Sequence, residues 1–77
     1  MNMIVPLSEL RPGESGVVIN FQGGPNFRSK LYPMGLAPGV IIRVLDRFQF
    51  GPVIIEAGGT RLAVGKNMAD KILVRKL

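Results

Sequence analysis

The chain contains no cysteine, no histidine and no tryptophan. Without cysteine there is no disulfide framework, no zinc finger and no thiol nucleophile. Without histidine, the commonest transition-metal ligand and the usual general base near neutral pH are both missing. Acidic residues are scarce too: five Asp and Glu stand against ten Lys and Arg, for a net charge of +5. Glu9, Glu14, Asp46, Glu56 and Asp70 are scattered, and no two are spaced to aim at one substrate. Ser8, Ser15 and Ser29 have no histidine to activate them and no Ser-x-x-Lys arrangement to replace it. These absences predict no catalytic residue, no resident cofactor and no tight metal site in a single copy. At most a weak or intersubunit divalent ion is left.

Long apolar runs are also absent. The longest stretch without charge or amide, Leu31 to Ile42, is broken by Pro33, Gly35, Pro38 and Gly39, whereas spanning a bilayer takes about 20 apolar residues. The start, Met1 to Pro6, has neither a basic n-region nor a long apolar h-region, so no signal peptide is expected and the predicted location is cytoplasmic. Yet 47% of the residues are hydrophobic and 19% charged, which excludes intrinsic disorder. The 77 residues make one domain, 1–77. So short a chain buries only about 60% of its unfolded surface, and part of its apolar content is expected outside as a contact patch.

Ten glycines and six prolines punctuate the sequence, favouring short strands over long helices. Leu10-Arg11-Pro12-Gly13 and Leu36-Ala37-Pro38-Gly39 are one signal used twice. Proline presets the second position of a type II turn and glycine supplies the positive φ at the third. After the first turn, Val17, Ile19 and Phe21 alternate with Gly16, Val18 and Asn20. After the second, Val40, Ile42 and Val44 share one face, and Ile41, Arg43, Leu45 and Arg47 the other. Val53, Ile55 and Ala57 point inward from the next strand, Gly58-Gly59 marks a two-residue hairpin, Thr60 to Val64 returns, and Ile72 to Arg75 closes the chain. These are five strands. Phe27, Leu31 and Met34 fall at helical spacing behind Asn26 as N-cap, with Pro33 and Gly35 stopping a helix of about two turns. Lys66 to Asp70 supplies one further turn. The reading is mainly β: a five-stranded antiparallel barrel, SH3-like or OB-like, with a short helical insert and a one-turn helix near the C-terminus.

Two binding modes of small basic proteins are poorly supported. Gly23-Gly24-Pro25-Asn26 precedes the helix with Arg28 and Lys30 following, but the Walker pattern is absent, so the loop reads as a helix cap. Phe48 and Phe50 flank Gln49 after Arg47, but one tyrosine and no tryptophan make a weak stacking platform. No nucleic-acid partner is expected.

In their order along the chain, these elements resemble the FeoA family, the small cytosolic partners of the bacterial and archaeal ferrous-iron transporter. The likeness runs from Leu7 to Val74. It takes in Leu7-Ser8-Glu9-Leu10 with Pro12-Gly13, then Arg28-x-x-Leu31-x-x-Met34-Gly35-Leu36-x-Pro38-Gly39, then Gly51-Pro52, the hairpin arm from Gly59 to Val64, and Ala69 with Ile72 and Val74. The resemblance implies an SH3-like barrel, shared with the C-terminal domain of iron- and manganese-dependent repressors. It also implies a role in ferrous iron uptake through the large membrane GTPase FeoB, with the membrane reached only through that partner. The family's label of transition-metal binding finds no His or Cys here to support it. Two other functions stay open: a metal-responsive regulatory barrel related to the repressors, and a small basic nucleic-acid-binding barrel.

A basic barrel with surplus apolar surface and no chemistry of its own should act by docking. The expected partner-binding residues are Arg28, Lys30, Leu31, Met34 and Leu36, with Leu31 as anchor and Arg28 and Lys30 steering toward an acidic surface. Ile41, Leu45 and Ile54, on the face away from the core, are the candidates for self-association into a homo-oligomer.

Overall fold

The computed structural model describes residues 3–77; Met1 and Asn2, on which part of the signal-peptide reading rests, lie outside them. Six antiparallel strands form one curled sheet in the order β1-β6-β2-β3-β4-β5. They are β1 (Ile4–Pro6), β2 (Ser15–Phe21), β3 (Ile41–Arg47), β4 (Val53–Ala57), β5 (Thr60–Val64) and β6 (Ile72–Lys76). Helix α1 (Pro25–Leu31) runs into a 3-10 turn, Tyr32–Met34, and α2 (Lys66–Ala69) precedes β6. This is the expected mainly-β fold with one more strand. Ile4–Pro6 is too short to announce itself by alternation, and its partner β6 lies at the far end of the sequence.

The two Pro-Gly turns fasten the β2–β3 pair reciprocally. Gly13, at φ 91°, donates its N–H to Val44 O on β3 at 2.8 Å, and Gly39, at φ 94°, donates to Val18 O on β2 at 2.7 Å. Each turn launches one strand and bonds to the other. The positive φ that glycine adopts freely is what aims each N–H across the pair.

Both long strands carry a bulge, and the bulges redistribute the faces. On β2 the register with β6 slips between Val18 and Asn20, and on β3 the register with β4 slips between Val44 and Asp46. The extra residues are Ile19 and Leu45. Val18 and Phe21 therefore both enter the core while Ile19 is exposed, so simple alternation of Val17, Ile19 and Phe21 does not hold. Likewise Arg47 leaves the outer face that Ile41 and Arg43 share. It pairs with inward-facing Val53, and its Nη1 donates to Ser8 O at 2.8 Å and Leu10 O at 3.3 Å. The bulges share a local device: Asn20 Oδ1 accepts from Phe21 N, and Asp46 Oδ1 from Arg47 N, each at 2.8 Å. A short carboxylate or amide occupies the N–H that the ladder has dropped.

The core is filled from the sheet by Val18, Ile42, Val44, Val53, Ile55, Val64, Ile72 and Val74. Its open side and ends are closed by residues outside the strands, namely Leu7, Leu10, Leu31, Leu36 and Ala69. The helix starts two residues earlier than the sequence suggests: Gly24, not Asn26, is the N-cap, with Pro25 at the first position, where a missing N–H costs nothing.

Two outcomes check this description. Val18→Ala should cost about 2 kcal/mol of unfolding free energy and Ile19→Ala less than about 1. Chemical denaturation giving the reverse order would mean the β2 bulge is wrongly placed. The second concerns Glu14, whose Oε2 lies 2.6 Å from Lys76 Nζ while its Oε1 accepts from Arg11 N at 2.7 Å. The Lys76 hydrogen bond, then that from Arg11, holds its carboxyl below the usual value of 4.5. Because the folded value is depressed, the contribution is present above the ordinary glutamate range and is lost as pH falls through the folded value. Thermal melts should show Glu14→Gln less stable than the parent at neutral pH, the gap closing on acidification.

Candidate docking surface

Helix α1 and its 3-10 turn are held by an aromatic contact set. Phe21 meets Phe27 edge-on at a centroid distance of 6.2 Å and Tyr32 at the same distance, tilted. Leu36 N–H bonds back to Leu31 O at 3.2 Å, and Gly35 ends the turn at φ 83°. This closure drives Leu31 and Leu36 wholly into the core, both at 0% exposure. Neither can anchor a partner. At these positions the larger apolar gain lies in filling the barrel, against which Phe27 and Met34 also pack.

The remaining predicted residues separate. Lys30 lines an open recess of about 640 Å³ between α1, the β3–β4 loop and α2. Met34 lines another, of about 480 Å³, between the 3-10 turn and the β4–β5 hairpin, with no charged residue on its walls. Arg28 is exposed and lines neither.

The first recess has the stronger recognition chemistry. Its apolar walls are Phe27, Phe50 and Met68, and its cations are Lys30, Lys66 and Lys71. Phe50 is 88% exposed. Lys71 Nζ sits 5.7 Å from the centroid of the Phe27 ring, within cation–π range. Lys66 Nζ pairs with Asp70 Oδ2 at 3.3 Å on an exposed surface, where such a pair is weak. The Ser8 hydroxyl, and then Lys66, hold the Asp70 carboxyl below its usual value. Among the described residues no acidic side chain lines the recess itself. The arrangement offers an apolar slot with several ammonium groups at its rim. Of these residues, Phe50 was visible beside Phe48 and Gln49, but Lys66 and Lys71 join it only through the packing of α2, which sequence order does not disclose.

The residues proposed for self-association are not one patch. Ile41 is exposed and Leu45 and Ile54 are half-buried. The charged row Arg43–Glu56–Arg61 runs across β3, β4 and β5 between Ile41 and Ile54.

Four of the five carboxylates are already engaged, Glu9 being the exception. Glu14 and Asp70 are paired with lysines, Asp46 accepts from the backbone, and Glu56 lies between two arginines in the ladder. Among the described residues no three acidic side chains gather into a site that could hold a metal ion.

Known proteins agree with this architecture. The model of the FeoA domain matches residues 5–76. A protein of Methanocaldococcus jannaschii described as an Fe(2+) transport protein A is 36% identical over 69 residues, covering 90% of this chain and 83% of its own. The crystal structure of an iron uptake regulatory protein, FeoA, superposes with a TM-score of 0.93 at 53% identity, covering 97% of this chain and all of the other. A manganese-dependent transcriptional repressor matches at TM-score 0.89 and 23% identity, over 100% of this chain but 44% of its own, a likeness of fold alone. The chain belongs to the FeoA family.

Proposed function

We propose that the chain is a non-enzymatic adaptor and regulator of ferrous iron uptake, docking on the cytosolic GTPase region of a FeoB-type membrane transporter. Membership of a family with a relative described as an Fe(2+) transport protein supports the pathway. The mode of action rests on one observation: Lys30, Lys66 and Lys71 surround an exposed Phe50 in a recess without acidic walls. An acidic segment carrying one apolar side chain suits it, the charges steering encounter and the slot providing the anchor. Ferrous iron is cargo of the transporter and needs no ligand set in this chain. A repressor-type role is less well supported, since the two helices span seven and four residues and offer no DNA-reading pair.

Titration of the purified cytosolic GTPase region against the labelled chain tests this. Phe50→Ala should weaken binding about tenfold, and Lys30→Glu with Lys71→Glu at least tenfold, more steeply at low salt. Phe50→Ala should leave unfolding stability within about 0.5 kcal/mol of the parent. Leu31→Ala should instead cost about 2–5 kcal/mol of stability. Parental affinity in the recess variants sinks the proposal. So does tight, salt-sensitive binding of single-stranded oligonucleotides with none to the GTPase region.

A further inference from the structure

The outer face of the sheet carries an apolar surface that neither the core nor the lysine recess uses. The ladder sets Ile4, Arg75, Val17 and Ile41 side by side across β1, β6, β2 and β3. The adjoining row is Pro6, Leu73 and Asn20, with bulged Ile19 exposed beside it. Ile4 is 54% exposed and Ile41 60%. At the end of β6, Leu77 is also exposed, its N–H bonding to Ser15 O at 3.0 Å. Ser15 in turn pairs with Arg43.

Charge decides what can cover this face. Arg75 stands in the middle of its apolar row. Neither that row nor the Pro6–Leu73–Asn20 row contains a carboxylate, and Glu56, in the row of Ser15, lies between Arg43 and Arg61. A second copy packed on it would bury Arg75 against isoleucines with no unengaged carboxylate on this face to meet it, since Glu56 is shared between Arg43 and Arg61, and burying an unpaired charge is costly. An anionic bilayer supplies what is missing. Phosphate groups accept from a guanidinium in its fork geometry, and the isoleucines enter the headgroup boundary, where binding grows with apolar area and with attraction to anionic lipid.

We infer that the face made by Ile4, Val17, Ile19, Ile41 and Arg75 lies directly on anionic phospholipid. This goes beyond tethering through a transporter. The lysine recess stays accessible in that pose, because Lys71 precedes β6 whereas Arg75 lies near its other end.

Flotation of the full chain with phosphatidylcholine vesicles, with and without about 30% phosphatidylserine, tests it. The chain should float with the anionic vesicles at low salt and remain in solution with the neutral ones. Arg75→Gln should reduce the bound fraction about fivefold, and more than Arg28→Gln, an equal charge change on another element. Ile4→Ser with Ile41→Ser should reduce it further while the melting temperature stays close to that of the parent. The inference fails if the parent does not float with anionic vesicles. It fails equally if Arg75→Gln and Arg28→Gln are indistinguishable. It also fails if sedimentation equilibrium reveals a dimer that Ile41→Ser dissociates, since a second copy then covers the face.

Discussion

A curled sheet of short strands has an open side and two ends, and in a chain of this size the sheet cannot close them alone. β1 and β5, the outermost strands, do not pair with each other. Leu7 and Leu10, in and just after a 3-10 turn at Leu7–Glu9, Leu31 and Leu36 around α1, and Ala69 from α2 complete the enclosure, and Arg47 ties that turn to β3. That requirement settles which apolar residues remain outside. The helix gives its largest aliphatic side chain to the core, which leaves Lys30 on the helix flank, Phe50 on the loop and the lysines of the α2 region at the rim of the recess.

The same requirement explains which parts of the structure could be read from the sequence. The Pro-Gly turns, the Gly58-Gly59 hairpin and the hydrophobic segments are local signals with local causes, and they lie where expected. Val53, Ile55 and Ala57 enter the core together because β4 runs without interruption. Face assignment failed on β2 and, on β3, only past the bulge at Arg47, while Ile42 and Val44 face the core and Ile41 and Arg43 the outside as expected. The reason is that a bulge is a property of two paired strands and the alternation of one strand does not contain it. A trace was nevertheless present. Val18-Ile19-Asn20 and Val44-Leu45-Asp46 each place an Asn or Asp inside a β-rich run, where those residues are unfavourable, and both side chains accept the next backbone N–H. Leu31 was misread for a different reason. Helical spacing shows that Phe27, Leu31 and Met34 share a side, but only the packed fold shows that Leu31 faces the barrel.

Excess positive charge acquires a location in the same way. Glu14 is taken up by Lys76, and Asp70 offsets only part of the cation cluster around it. What remains unbalanced concentrates at the α1–α2 recess and, more sparsely, along the outer sheet at Arg43, Arg61 and Arg75, with Glu56 as the one carboxylate between them. Exposed like charges at such separations repel little in physiological salt, so they cost the fold little. In the proposed docking they draw an acidic surface from a distance and favour productive orientations.

Phe50 shows why stability is a poor guide to this molecule. At 88% exposure it gains almost nothing from burial, and one more exposed aromatic ring raises the risk of unwanted association. Ile41, at the start of β3, is likewise exposed. Neither lies at random: one borders a recess rimmed by lysines, the other a row centred on Arg75. In both places a surface that water solvates poorly is set beside cations that attract acidic groups. In a chain without cysteine or histidine, the two proposed contacts draw on different residues: Lys71 precedes β6, whereas Arg75 lies near its other end.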